Sequence, residues 1–324
     1  MQYFIRMLRA PACMLALLLA ANAYGQSYPF KSARLIVPYA PGGIVDYIGR
    51  LIAQRYADAL GQNFIVDNRP GAGGIIGIET AGKANADGYT LLIMDPAIVI
   101  NPSLLRKVPY DIDKDLLAVS IISSSPLVLA INAKLPANNV QELINLARSQ
   151  PGALSFASAG VGTTPHMAGE MFKARIGQKI THVPYKGSGP AMTDLISGQV
   201  QMTFSSITAA LPFIKDGRLR GLATTGGKRA AALSNLPTVA ESGFTGFDVN
   251  LWLALFVPAG TPANVIARLN MELKTMLQIP DVKANFEKVG AEPDGRSPQD
   301  AAAYVKSEFA KWAKVVKDAN LRAE

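Results

Sequence analysis

From Arg34 onward, short runs of β-branched and aliphatic residues alternate with longer stretches whose apolar residues recur at helical spacing. That alternation is the pattern of an α/β sheet with crossover helices. Residues 34–39 read as a strand, Pro41-Gly42-Gly43 as a turn and residues 44–60 as a helix. In that helix Ile44, Ile48, Leu51, Ile52, Arg55 and Ala59 fall near i, i+4, i+7 spacing, and Gly61 stops it. A second unit has strand 64–67, a glycine-rich turn from Pro70 to Gly74 and a helix from Ile75 to about Ala84, and residues 89–94 form a third strand.

The apolar runs 118–122 and 127–131 are separated by Ser123-Ser124-Ser125-Pro126, where the spacing predicts a first crossing between two lobes. Beyond it come a helix over 140–149, strand 154–157, a helix around 166–174, strand 181–183, a helix over 191–197 and strands 200–204 and 221–224. The apolar run 251–257 returns the chain to the first lobe. Thr261-Pro262 predicts one closing helix, with Thr261 as N-cap and Ile266, Leu269, Leu273, Met276 and Leu277 on its buried face. Ser297-Pro298 opens the other, with Val305, Phe309, Trp312 and Val316 stepping inward. The expected organisation is a lobe from 26–124 and 248–324 interrupted by a second lobe, 125–247, with no linker and no repeat.

The first residues have the grammar of a cleavable export signal: Arg6 and Arg9, an apolar run from Met14 to Ala21, and small residues around Ala21-Asn22-Ala23. Residues 1–25 are expected to be removed, since the run is about half of the ~20 residues a membrane span needs. Cys13, the only cysteine, precedes the apolar run, where a lipid-attachment cysteine would follow it. The mature chain is therefore expected to be soluble, thiol-free and outside the cytoplasm. Its basic balance, +8 over the full sequence, favours anionic partners. The Lys and Arg residues are scattered, without the aromatic-interleaved basic stripe of a nucleic-acid binder.

Candidate chemistry concentrates in four glycine-rich strand-to-helix turns: Gly42-Gly43, Gly71 to Gly74, Gly160 to Gly162 and Gly187 to Gly189. In open α/β sheets, ligands collect beyond the carboxyl ends of the strands, where helix N-termini present unpaired N–H groups. Backbone N–H groups with the hydroxyls of Thr163, Thr164 or Ser188 suffice to hold a carboxylate. Each glycine could also serve only its own turn.

Enzyme motifs almost form. Gly71 to Gly77 resembles a dinucleotide fingerprint with its last glycine one position late. Ser158 lies in a near nucleophile elbow, but Phe156 replaces its first glycine, and neither His166 nor His182 is obviously placed as its base. His166 and Glu170 could share a metal ion, though no third ligand suggests itself. Asp46 could meet a cation or cap its own helix.

The motifs Pro38-Tyr39-Ala40-Pro41-Gly42-Gly43 with Asp46 and Arg50, Asn68 to Gly74, Ala86-Asp87-Gly88-Tyr89-Thr90, His166-Met167-Ala168-Gly169-Glu170 and His182 to Gly187 together resemble the Bug-type receptors. Leu236 to Gly243 and Pro258 to Pro262 extend the resemblance over the mature chain. These are extracytoplasmic solute-binding proteins of tripartite tricarboxylate transporters.

The resemblance implies a type II-like periplasmic-binding-protein fold, two α/β lobes with a double crossover hinge and a ligand cleft between them. It implies a monomer without cofactor or metal that captures a small organic carboxylate, a di- or tricarboxylate or an aromatic acid, and passes it to a two-component membrane permease. An extracytoplasmic sensor and a secreted serine hydrolase are the alternatives. The implied ligand-binding residues are Tyr39, Gly42, Gly43, Ile44, Asp46, Ala72, Gly73, Ser158, Gly160, Gly162, Thr163, Thr164, His166, Tyr185 and Ser205. Where the family commonly carries Asp and an Asp-Asn pair, this chain has Gln201 and Ser205-Ser206. A ligand without a positive charge is the corresponding expectation.

Overall fold

The computed structural model describes residues 28–318 and residue 321. The expected export signal, Cys13 included, lies outside the described residues.

Strand β1 (Ala33–Val37) runs through the Gly42-Gly43 turn into α1 (Ile44–Leu60), which ends on Gly61 in the left-handed conformation, as the periodicity predicts. Then follow β2 (Phe64–Asn68), α2 (Ile75–Gly82), β3 (Thr90–Met94), α3 (Ala97–Leu104) and the single turn α4 (Ile112–Asp115). The next strand, β4 (Leu116–Asn132), joins the two apolar runs 118–122 and 127–131 and is continuous across the serine-proline segment, where the sequence predicts a crossing between lobes. Two register shifts, at Ala118/Ser120 and Ile121/Ser123, absorb the irregularity. Irregular pairing of this kind bends and twists a strand without ending it.

The second lobe holds α5 (Val140–Ser149), β5 (Ser155–Ser158), α6 (Thr164–Ile176), β6 (Thr181–Pro184), α7 (Ser188–Ser197), β7 (Met202–Ser206), α8 (Ile207–Lys215) and β8 (Leu219–Thr224). The chain returns through β9 (Asn250–Pro258) to α9 (Ala263–Met276), α10 (Pro280–Lys288), β10 (Glu292–Pro293) and α11 (Pro298–Asp318).

In the first lobe β2, β1 and β3 are parallel, with β9 antiparallel between β3 and the first part of β4. In the second lobe β6, β5 and β7 are parallel, and β4 beyond Leu127 pairs antiparallel with both β7 and β8. One strand thus belongs to both sheets, giving two α/β lobes on a shared spine. Strands covered on both faces carry continuous apolar runs; Leu91–Leu92–Ile93–Met94 and Leu253 to Val257 are wholly buried.

Two closing-helix expectations change. Pro262 stands at the cap of α9, and the Thr261 hydroxyl donates to the Pro258 carbonyl (2.7 Å), leaving the helix N–H groups uncapped. On α11, Ser297 and Asp300 form the reciprocal cap, but Phe309 is exposed and Glu308 is buried in its stead. The cause is polar: the indole N–H groups of Trp252 and Trp312 both donate to Glu308 Oε2, at 2.9 and 3.2 Å. Two buried indoles need an acceptor, and Phe309, one position on, is carried round to the surface.

Candidate functional site

All six parallel strands end toward the gap between the lobes, and the four glycine turns meet there in pairs. The first turn faces the fourth: Ala40 N–H donates to the Lys186 carbonyl (3.0 Å), and a Cβ on Gly189 would lie 2.5 Å from the Pro41 carbonyl oxygen. The second faces the third: a Cβ on Gly73 would overlap the Val161 carbonyl oxygen, and one on Gly162 would overlap Asn101 Oδ1. Gly73 (φ +61°) and Gly162 (φ +76°) also lie in the left-handed region. Here glycine answers two constraints at once, backbone conformation and approach of the opposite lobe.

Six helices open at this gap: the Ala97 N–H of α3 is met by Asp95 Oδ1 (3.0 Å), while α1, α2, α6, α7 and α8 have no side-chain cap. By contrast α4 and α5 begin elsewhere, capped by Asp111 and Asn139. The proline-led α9 and α10 lack caps too, so it is the convergence of five free N-termini that marks the gap. Free helix N–H groups and the positive dipole end favour an anion.

Between the turns lies a cavity of about 20 Å³, bordered by Tyr39, Gly43, Ile44, Asp46, Asp95, Pro165, Ser188, Ser206 and Leu251 among others. Its volume holds roughly one water molecule, so the lobes are closed on each other. Thr164, Ser205 and Ser206 are buried nearby with hydroxyls that have no hydrogen-bond partner. Unpaired buried hydroxyls are costly; Ser206 borders the cavity, and Thr164 and Ser205 adjoin its lining residues Pro165 and Ser206. A larger groove of about 620 Å³, lined by Leu117, Phe256, Phe309 and Lys306, lies on the outside of the first lobe. The one helix start beside it, α4, is capped and acidic, which suits an anion poorly.

Several of the expected site residues are committed within the protein. Tyr39 is buried and its hydroxyl donates to Asp95 Oδ1 (2.9 Å); burial, then Asp95, hold its phenol neutral, well above its ordinary range. Asp46 accepts from Arg50 (2.9 Å), Asn68 (3.0 Å) and the Gly42 N–H (3.4 Å). Burial works against its charge, but the Arg50 and Asn68 bonds prevail and hold it below the usual carboxylate range. The Tyr185 hydroxyl donates to Asp194 (2.6 Å) and is pushed up to about 12, by desolvation first and Asp194 second. Ala72 is exposed in the second turn at φ +47°. Thr163 ties its own turn, donating to the Gly160 carbonyl (2.7 Å).

The histidines depart from expectation. His182 Nε2 lies 2.7 Å from Ser158 Oγ, a contact the sequence, in which neither histidine is obviously placed as the base of this serine, does not announce. His166 stacks on His182 with ring centroids 4.1 Å apart, and Phe156 stacks on the far face of His182 at 4.7 Å. The Gly162 N–H donates to His166 Nδ1 (3.2 Å), which places that neutral ring's proton on Nε2. Desolvation, then Lys173, lowers His166 to about 4; desolvation, then His166 and Lys173, lowers His182 to about 3. Glu170, 3.9 Å from His166, is therefore not its ion partner at neutral pH and binds Lys173 (2.7 Å).

Gln201 also corrects an expectation. It precedes β7 at the end remote from the gap, accepting from Ser155 N and Oγ at 3.0 Å. Asp95 is the residue the motifs missed. An acid immediately after the apolar strand 91–94, at its carboxyl end, was the available signal.

Residues 48–321 match the family model described as tripartite tricarboxylate transporter family receptor. The chain is 36% identical to the protein BugT of Bordetella pertussis over 302 residues, 93% of each chain. Among solved structures it resembles R. palustris Rpa4515 with adipate, at 38% identity and TM-score 0.89, covering 91% of this chain and 99% of that one. MatC from Rhodopseudomonas palustris with bound malate follows at 30% identity and TM-score 0.85, covering 89% and 100%. Two lobes sharing a spine, four glycine turns meeting across a gap and the matched family model together place the chain in the receptor family of the tripartite tricarboxylate transporters.

Proposed function

We propose that this receptor captures a small organic carboxylate in the periplasm by closing its lobes on it, and that a two-component membrane permease takes delivery from the closed form. The observation that carries this reading is the convergence of five uncapped helix N-termini with the unpartnered hydroxyls of Thr164, Ser205 and Ser206. Adipate and malate in the related structures agree with that chemistry. No helix among the described residues is long and apolar enough to cross a membrane. The proposed lobe boundary at 124/125 is supported by the change of partner along β4, from β9 up to Pro126 to β7 from Leu127, and that at 247/248 by the start of β9 at Asn250.

Closure supplies the mechanism. Contacts made to ligand by both lobes exist only in the closed form, so their free energy shifts the population toward it. A thermal-shift and calorimetric panel of mono-, di- and tricarboxylates tests the reading. A true ligand at ~100 times its dissociation constant adds about 2.7 kcal/mol of stability. A panel in which no carboxylate stabilises the protein, while a neutral or cationic solute does, would overturn it.

The Ser158–His182 contact favours a second reading, ester hydrolysis. The distance suits it and the electrostatics oppose it. A base must accept the serine proton, and efficient bases titrate near the working pH, whereas His182 is depressed to about 3. The single Ser158 proton is also claimed by the Gly160 carbonyl (3.1 Å). Ester turnover abolished by Ser158→Ala would establish the hydrolase.

A further inference from the structure

Asp95 follows β3 at the closed gap, only 3% exposed, and borders the same cavity as Gly43, Ser188 and Ser206. Its two hydrogen bonds from other residues, from the Tyr39 hydroxyl (2.9 Å) and the Ala97 N–H (3.0 Å), both fall on Oδ1. Among the described residues no basic group offsets its charge. Asp46, on the same cavity, shows the contrast, since Arg50 neutralises it and Asn68 donates a hydrogen bond to it. Burial raises Asp95 to about 6 against the bonds that lower it, as expected for a carboxyl held without a counter-charge. At neutral pH it is largely ionised, a buried acceptor beside the place where the ligand's carboxylate would lie. Two carboxylates side by side in a closed cavity repel; a hydrogen-bond donor on the ligand would satisfy the buried acceptor.

Resting on the carboxylate reading above, we propose that Asp95 sets the ligand class: it receives a hydroxyl or ammonium group carried by the bound carboxylate's own skeleton, making hydroxy- or amino-substituted acids preferred over their unsubstituted parents. A hydroxyl donor agrees with the expectation of a ligand without a positive charge, which rested on Gln201 and Ser205-Ser206; an ammonium donor would depart from it, with Asp95 supplying the carboxylate that Ser205 and Ser206 do not. Asp95 comes from the opposite lobe, and Gln201 points away.

The test is calorimetry on matched sets at about pH 7.5: succinate, malate and aspartate; glutarate, 2-hydroxyglutarate and glutamate; adipate, 2-hydroxyadipate and 2-aminoadipate; phenylacetate and mandelate. In the set that fits, the hydroxy or amino member should bind at least about tenfold tighter than its parent, the scale of a hydrogen bond to a charged group. Asp95→Asn should cut that ratio to about threefold or less. Tyr39→Phe, which leaves the Asp95 carboxylate in place, should keep the ratio even if affinity falls, and it serves if the Asn variant does not fold. The hydroxy and amino arms tell which donor is preferred. A parent acid that binds as tightly as its substituted partners overturns the proposal. So does a parent whose affinity rises from pH 7.5 to 5.5 in the wild type but not in Asp95→Asn, which would make Asp95 a protonated acid sharing its proton with the ligand. If neutral solutes bind and no acid does, the carboxylate reading fails and takes the proposal with it.

Discussion

Gly73 and Val161, from opposite lobes, are packed so closely that a Cβ on Gly73 would overlap the Val161 carbonyl oxygen. Closure is therefore gated by a missing side chain. In Gly73→Ala the lobes must stop short of contact, and the residue is held at φ +61°, which costs an L-residue about 1–2 kcal/mol. Ligand affinity should fall at least about tenfold, and X-ray scattering should show less compaction when ligand is added. Gly152→Ala is the control, because Gly152 has φ +80° with nothing within 4 Å of its Cβ. Equal losses of affinity in the two variants would mean backbone strain, not lobe contact, is responsible.

The unpartnered hydroxyls give a prediction with opposite signs for stability and binding. Ser205→Ala and Ser206→Ala each remove a buried hydroxyl that makes no hydrogen bond, so the unliganded protein should keep its melting temperature or gain up to about 1 kcal/mol. Carboxylate affinity should drop in the same variants. Destabilisation with unchanged affinity would assign these serines to packing alone.

Acid should weaken the fold through the stacked imidazoles. His166 and His182 ordinarily titrate near 6.5 but are lowered to about 4 and about 3 in the fold. Unfolded chains then bind protons that the native state refuses, so stability is full above pH 6.5 and declines as pH falls toward 4. Asp95 acts the other way: raised to about 6 from 3.8, it is protonated first in the native state and favours the fold as pH falls through that window. Urea midpoints from pH 7.5 to 4.5 should decline, less steeply in His182→Gln. A wild-type midpoint flat over that range would rule the histidines out.

The local parts of this design were readable in the chain. The stripe from Ile44 to Ala59 with Gly61 behind it fixes α1 at both ends, and the four turns announce themselves by glycine. What escaped depends on residues far apart in sequence. Glu308 displaces Phe309 because Trp252, 56 positions away, needs its oxygen. Asp95 carries no motif, and only the placement of Tyr39 and Ser206 around one cavity singles it out. The Ser158–His182 contact follows from β5 and β6 pairing in register, Ser155 against Thr181 and Phe156 against His182. Periodicity reports which face of an element is buried; it carries no information about which other element arrives there.

Thr225 joins the two crossings. Its N–H donates to the Leu127 carbonyl (2.9 Å), its hydroxyl donates to the Val249 carbonyl (2.6 Å), and the hydroxyl oxygen, Oγ1, accepts from the Leu127 N–H (2.8 Å). Thr225→Val keeps the shape and removes the hydroxyl, leaving a buried N–H and a buried C=O unpaired. At about 1–3 kcal/mol each, the loss should be about 2–6 kcal/mol, largely recovered by Thr225→Ser. Both tryptophans, Trp252 and Trp312, belong to the first lobe, so their fluorescence reports that lobe while far-ultraviolet dichroism reports both. In the wild type the two signals should give one urea midpoint. In Thr225→Val they should separate, because the bonds that tie β4 to the return of the chain are the ones removed. Coincident midpoints in the valine variant, with stability unchanged, would show that the crossings are coupled by packing instead.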